Sequence, residues 1–328
     1  MSDVISYAPL FEPLEVRGHT FRNRIVMPPM VTVRDILTDA GRAWYAEHAR
    51  GGVSMVIVEA TPLGLLVEEN LGPLRELVDA IHAGGALAGV QLFTNGQPEP
   101  AEVFFEPPLD PHDLSREQLV GLIDHFARAA AVCRQAGFDA VEPHGAHGYF
   151  LMRCFSTHDN RRTDRYGGDV EGRMRTALEI CRKIRAAVDE GMLLLYRHTP
   201  VEEVEAGYGL ADTIRLATGL AAEGVDVFDI SPSHGDRDGE YSEAVKLSSH
   251  RPVIARGELD EPDRALAVLT NERADLIAVG RGLIADPEWP NKVREGRLDE
   301  IVTCVRCNEK CYGNLKKRIP IACTQWRS

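Results

Sequence analysis

Eight short apolar runs recur along the chain, each followed by a stretch whose apolar residues are spaced three and four apart. This alternation limits the fold more than any other feature. The runs are 24–27, 55–59, 88–92, 140–142, 193–197, 227–230, 252–255 and 276–279. They are too short for helices and apolar on both faces, as strands of a parallel sheet covered by helices should be. The clearest helical stretches are 117–136 and 172–188; Asp113-Leu-Ser-Arg-Glu-Gln offers the first a capped start and Gly137 a stop. An open doubly wound sheet would accommodate the pattern. Eight units over about 280 residues fit a closed α/β (β/α)8 TIM barrel better, since that fold typically takes ~250. No long Ser-, Pro- or Gly-rich linker splits the 328 residues. We therefore read 1–303 as one barrel and 304–328, which falls outside the repeating pattern, as an appended C-terminal tail.

The charge balance narrows the partners. Fifty acids against 37 bases give a formal net charge of −13. Such a surface repels phosphate backbones and anionic membranes, so neither nucleic acid nor a membrane is expected. There is no apolar run of membrane-spanning length and no leader pattern at the N-terminus, so a cytoplasmic location is the expectation. In that compartment the seven cysteines read as thiols or metal ligands. Cys133, Cys154 and Cys181 are scattered, the latter two on predicted helices, where a core thiol is the simplest reading. Cys304, Cys307, Cys311 and Cys323 stand together with the spacing C-x2-C-x3-C-x11-C. Four grouped thiolates can hold a [4Fe–4S] cluster or a zinc ion.

A barrel carries its chemistry just after its strands. The residues there are Pro28, Pro29, Met30, Glu59, Ala60, Thr61, Gln91, His144, His147, Arg197, Ser231 to His234, Gly257, Gly280 and Arg281. Gly280-Arg281-Gly282 follows the eighth run. Glycine lets backbone N–H groups approach an anion, and an arginine fork matches phosphate oxygens. Gly257, after the seventh run, fits the same phosphate site. By itself Gly-Arg-Gly is equally a tight turn with a surface arginine. His144-Gly-Ala-His147-Gly-Tyr149 follows the fourth run. Two imidazoles at this spacing can converge on one carbonyl oxygen, and the phenol can deliver a proton. A metal would need a further ligand, and beyond Glu142 none is evident. Loop histidines and a buried tyrosine are the plain alternative.

The long run His144-Gly-Ala-His-Gly-Tyr-Phe-Leu-Met-Arg-Cys-Phe-Ser156, then Asn160-Arg-Arg-Thr-Asp-Arg-Tyr-Gly-Gly168, strongly resembles the old yellow enzyme family. Pro9-Leu-Phe-Glu-Pro-Leu and Arg22-Asn-Arg-Ile-Val-Met-Pro-Pro-Met30 look like that family's opening, so the resemblance spans most of the chain. It implies an FMN-binding barrel that reduces activated carbon–carbon double bonds. Gln91 stands where the family sets a glutamine against the flavin ring, Arg197 where it sets an arginine near flavin N1, and Gly280-Arg281 where it grips the FMN phosphate. Pro28, Pro29, Met30, Ala60 and Gly257 complete the expected flavin contacts. The cysteine spacing resembles the iron–sulfur branch that includes 2,4-dienoyl-CoA reductase and trimethylamine dehydrogenase, which implies a [4Fe–4S] cluster on Cys304, Cys307, Cys311 and Cys323. His234 falls near the position of that branch's second acid.

Three departures accompany the resemblance. The family commonly has His then Gly-Arg after the glutamine, whereas this chain reads Gln91-Leu-Phe-Thr-Asn-Gly-Gln97. The following loop, 98–113, is short, which suggests an open substrate pocket. Members with these cysteines usually continue into FAD- and NAD(P)-binding domains, and no G-x-G-x-x-G fingerprint is present here.

The resulting expectation is an ene-reductase: hydride from FMN N5, carbonyl oxygen held by His144 and His147, proton from Tyr149. The alternatives are an amine- or alcohol-oxidising flavoenzyme of the same branch, and an electron-transfer subunit. Amine oxidation would suit an aromatic pocket, and the sequence shows no aromatic clustering near the site. The partners expected are a small unsaturated substrate and a separate electron-donor protein feeding the cluster, ahead of NAD(P)H as a transient reductant. A homo-oligomer is compatible with this reading.

Overall fold

A computed structural model of the chain describes residues 6–97, 103–188, 190–234, 236 and 238–326. Among the described residues there are ten strands: β1 Leu14–Val16, β2 His19–Phe21, β3 Ile25–Met27, β4 Met55–Pro62, β5 Leu87–Phe93, β6 Ala140–Gly145, β7 Leu193–His198, β8 Val227–Ile230, β9 Val253–Arg256 and β10 Leu276–Ala278. The last eight form a closed barrel in the order β10-β3-β4-β5-β6-β7-β8-β9, every pair parallel. All eight expected strands are there, together with the TIM barrel they imply.

The helices are α1 Asp39–Arg50, α2 Leu71–Ala83, α3 Arg116–Ala136, α4 Phe150–Phe155, α5 Val170–Ala187, α6 Leu210–Ala222, α7 Glu240–Ser249, α8 Pro262–Thr270, α9 Arg281–Ala285, α10 Trp289–Arg294 and α11 Tyr312–Lys316. Helix α3 begins where its cap was read. Ser115 accepts from Gln118 N while Gln118 reaches back to the Ser115 N–H, and Gly137 ends the helix at φ 97°.

Strand residues alternate between two cores. Val26, Met55, Ile57, Ala140, Leu193, Leu195, Val227, Ile254 and Leu276 fill the barrel interior. Met27, Val56, Val58, Val141, Leu194, Tyr196 and Phe228 face the helices, where α1, α2, α3 and α5 lay down Trp44, Leu77, Phe126 and Ile180. This period of two also decides what reaches the top of the barrel.

The β1–β2 hairpin was not anticipated. Its turn uses Arg17 at φ 47° and Gly18 at φ 78°, the left-handed pair that two-residue hairpins favour. Val16 and Phe21 join the interior core, so the hairpin plugs the barrel's lower end.

The tail packs back across the barrel mouth. Ile321 is 3% exposed, its N–H donates to the Thr32 carbonyl at 3.0 Å, and its carbonyl accepts from Arg34 Nη2 at 2.9 Å. Trp326 Nε1 donates to the Ile284 carbonyl, and Arg306 pairs with Asp260 at 2.5 Å. The tail, which falls outside the repeating pattern, thus places Arg306, Tyr312, Leu315 and Ile321 against the barrel mouth. Among the described residues no helix is long and apolar enough to cross a membrane.

Candidate active site

Inward positions change character as the strands climb. On β7 they run Leu193, Leu195, Arg197; on β6 Ala140, Glu142, His144; on β8 Val227, Asp229, then Ser231 just beyond it; on β9 Ile254, then Arg256. Strand register sets these polar residues side by side. Gln91 pairs with Glu142, His144 with Arg197, and Arg197 with Asp229. Above them opens a cavity of about 510 Å³.

His144 and His147 meet edge to face with ring centroids 5.2 Å apart, and Tyr149 lies 5.2 Å from His144. His147 sits at φ 60°, a left-handed conformation costly for a non-glycine residue. Its N–H is tied to Thr199 Oγ1 at 3.1 Å, and its Nε2 lies 2.5 Å from Ser231 Oγ. Gly148, at φ 75°, completes the turn that brings Tyr149 back over the cavity.

Electrostatics hold these groups in defined states. Burial, then the Arg197 charge, pushes both imidazoles well below their ordinary pKa, so both are neutral. Burial, and secondly Tyr312, raises the Tyr149 phenol, which keeps its proton. Arg197 is charged beside the buried Asp229, with Nε to Oδ2 at 3.3 Å. Burial, and secondly Asp229, raises the pKa of Glu142, which accepts from Gln91 Nε2 at 2.7 Å.

The cavity suits a flat, polar-edged cofactor with a phosphate. Its volume falls within the usual range for such sites, roughly 300–1,000 Å³. Its lining combines small residues, Ala60, Ala278 and Gly280, with Gln91, Arg197 and Arg281. His144 Nδ1 is a buried polar atom without a hydrogen-bond partner, as expected of a site built for a ligand. Gly257 stands at φ 135°, which only glycine tolerates readily.

The sequence-derived residues largely converge here. Pro29, Met30, Ala60, Gln91, His144, His147, Tyr149, Arg197, Gly257, Gly280 and Arg281 all line the cavity. Pro28 is buried behind it, its Cγ facing Gly280. His234 is not brought in. Its side chain is 84% exposed and pairs with Glu203 at 2.6 Å, because the chain leaves the cavity after Ser233. Cys133, Cys154 and Cys181 are buried, and burial raises their thiols.

Cys304, Cys307, Cys311 and Cys323 line one small pocket, with Cys307 Sγ 3.3 Å from Thr324 Oγ1 and Cys323 Sγ accepting from Gln325 N at 3.4 Å. Among the described residues no group of three or more His, Cys, Asp or Glu side chains is drawn together as a metal cage. The donors are the right kind and share one pocket, so the set is compatible with a cluster or a metal. Arg281, Ile284 and Cys311 line both this pocket and the large cavity, so the two share a wall.

Other site residues escaped the sequence reading. Arg256 and Asp229 carry no motif; only their place on the inward register of β8 and β9 would have marked them. Phe104 and Phe93 pack on Tyr149 at 5.6 and 4.9 Å, and on one another at 5.4 Å. The site thus has an aromatic cluster where the sequence suggested none, since residues 93, 104 and 149 come from separate segments. From the tail, Arg306, Tyr312, Leu315 and Ile321 add to the lining. Part of the 98–113 loop, residues 98–102, lies outside the described residues.

Residues 9–300 match the NADH:flavin oxidoreductase / NADH oxidase family. The chain is 34% identical to an NADH oxidase of Thermoanaerobacter brockii, an alignment covering 96% of this chain and 55% of the relative. It thus spans about half the length of that protein. Among solved structures, histamine dehydrogenase from Rhizobium sp. 4-9 superposes with a TM-score of 0.86 at 26% identity, over 97% of this chain and 52% of the other. Morphinone reductase superposes with a TM-score of 0.75 at 26% identity, over 88% and 90%.

Proposed function

The chain belongs to the NADH:flavin oxidoreductase / NADH oxidase family, that of old yellow enzyme, and on this premise we propose that it reduces the activated double bond of an α,β-unsaturated carbonyl compound. The observation that carries the reading is the convergence of two neutral imidazoles and one protonated phenol on a single cavity. Neutral donors suit an oxygen that gains charge only during reaction, because they stabilise the enolate without holding an anion beforehand. His144 and His147 bind the carbonyl oxygen. Tyr149 gives its proton to the α-carbon.

Bound FMN, once reduced, supplies the hydride. Gln91, Arg197, Gly257, Gly280 and Arg281 would hold it, with Arg281 on the phosphate and Arg197 offsetting negative charge on the reduced ring. Glu142 and Asp229 brace Gln91 and Arg197 from behind. The four tail cysteines would hold a [4Fe–4S] cluster, with zinc as the alternative occupant. The wall shared by the two pockets favours a role for the tail in passing single electrons from a donor protein to the flavin. Direct reduction by NAD(P)H is the competing route, and the T. brockii relative, an NADH oxidase, speaks for it.

One observation favours a second reading. Phe104 and Tyr149, backed by the buried Phe93, form an aromatic face of the cavity on which an ammonium group can rest, and histamine dehydrogenase is among the similar structures. Amine oxidation is therefore the alternative.

Anaerobically purified protein should release FMN and carry about four iron atoms per chain. Its reduced flavin should be reoxidised by cyclic enones, saturating with substrate. Reoxidation by no enone, with flavin reduction by primary amines, would replace the first reading with the second.

A further inference from the structure

We propose that Ser231 and Arg256 are positioning residues that lock His147 in the tautomer whose ring proton sits on Nδ1, making Nδ1–H the one donor this imidazole offers. The argument is a count of hydrogens around Ser231 Oγ. Three groups converge on that oxygen: Arg256 Nη1 at 2.6 Å, His147 Nε2 at 2.5 Å and Arg197 Nη2 at 3.5 Å. A guanidinium can only donate. A hydroxyl has one hydrogen and two lone pairs, so Ser231 Oγ accepts from the arginines and has its own hydrogen left to place. The remaining neighbour is His147 Nε2. It can receive that hydrogen only if it carries none. The opposite tautomer would aim N–H groups at the oxygen from three sides and leave the hydroxyl hydrogen without a partner.

The alternative of a doubly protonated ring is closed by the surroundings. His147 is buried, faces Arg197 and lies against His144, all of which disfavour a charged imidazole. The backbone reinforces the arrangement. Thr199 Oγ1 accepts from the His147 N–H at 3.1 Å and donates to the Ser231 carbonyl at 3.0 Å, so ring and main chain are both referenced to Ser231. The lock is built from four strand ends, β6 through β9. Its consequence for chemistry rests on the proposed ene-reductase reading: a fixed Nδ1–H donor needs no proton rearrangement when charge develops on the substrate oxygen.

The test reads the tautomer itself. In flavin-loaded protein labelled with 15N-histidine, long-range imidazole NMR distinguishes a protonated from an unprotonated ring nitrogen, and His147→Asn identifies the resonances. Wild type should show protonated Nδ1 and bare Nε2. Ser231→Ala should give a mixture or the opposite tautomer, and Ser231→Thr, which keeps the hydroxyl, should restore the wild-type pattern. Arg256→Met, which leaves Ser231 in place, should also yield a mixture, and serves if Ser231→Ala folds poorly. Binding of a phenol such as 4-hydroxybenzaldehyde, an enolate mimic, should weaken about ten- to a hundredfold in Ser231→Ala. Protonated Nε2 in wild type, or one unchanged tautomer in both variants, overturns the proposal. A switched tautomer with unchanged phenol affinity sustains the lock and instead overturns the ene-reductase reading.

Discussion

Arg197 and Asp229, neighbours on adjacent barrel strands, place Nε 3.3 Å from Oδ2 beneath the cavity floor, with side chains 4% and 0% exposed. A buried pair of this kind resists loss of one partner more than loss of both, because the survivor is left charged and unsolvated. Arg197→Met should therefore cost about 3–5 kcal/mol, and Arg197→Met/Asp229→Asn clearly less. Burial already raises the Asp229 pKa, and removing Arg197 raises it further. The cost should thus be smallest in acid, where Asp229 is protonated in both states, and grow as pH rises. Urea unfolding of the wild type and the two variants at several pH values measures this; equal costs for single and double variants would show no coupling.

Tyr149→Phe removes a hydroxyl while keeping the ring against Phe93 and Phe104. Flavin reduction should persist, and reoxidation by an enone should slow about 10²–10⁴-fold, the usual contribution of a general acid. A nitroalkene, which needs less protonation, should suffer less. Because the phenol is held above its ordinary pKa, the wild-type rate should show no loss of this acid up to about pH 10. Stopped-flow reoxidation with both substrates checks it, and wild-type rates in the variant would remove Tyr149 from the role.

Arg281 has two possible duties. It lines the cavity, and its Nη1 donates to Asn308 Oδ1 of the tail at 3.0 Å. If it grips the flavin phosphate, Arg281→Ala should weaken FMN about ten- to a hundredfold, as loss of a charge-assisted contact does. Asn308→Ala breaks only the tail contact and should leave FMN affinity unchanged. Fluorescence titration of flavin into the two apoproteins separates the duties; equal weakening would assign Arg281 to the tail.

Glu59 shows how the barrel rim responds to pH. It is half-buried, its carboxylate accepts from Thr32 N at 2.7 Å, Thr32 Oγ1 at 2.6 Å and Tyr45 OH at 3.0 Å, and desolvation raises its pKa to about 7. The folded state therefore holds this proton more tightly than the unfolded chain, whose value is near 4.5. Its contribution is fully present below about pH 4.5 and is lost as pH rises through about 7. Glu59→Gln should flatten that part of the profile. Melting temperatures from pH 4.5 to 8 measure it; an unaltered slope would assign the dependence elsewhere.

How much of this was legible follows from the kind of signal each residue gives. The barrel strands read plainly because a parallel strand buried on both faces is an unbroken apolar run. Ser115 and Gly137 read plainly because a helix end is satisfied by its own neighbours in sequence. The triplet His144, His147 and Tyr149 was legible because one turn carries all three. The β1–β2 hairpin was missed because strands of three residues have no period to detect.

Sequence alone determined what is local: the alternation that demands a parallel barrel, the histidine turn, the Gly280-Arg281 loop and the cysteine spacing. Tertiary structure alone decided what depends on closure. Asp229 and Arg256 become site residues only when strand register turns them inward, Phe93 and Phe104 gather on Tyr149 from separate segments, and Ile321 meets Thr32 across 289 residues of chain. His234, three residues past the inward position of Ser231 in an irregular turn, goes the other way and faces solvent. The physical reason is that periodicity specifies which face of an element is buried, whereas which side chains share a cavity depends on the register and curvature of eight strands at once.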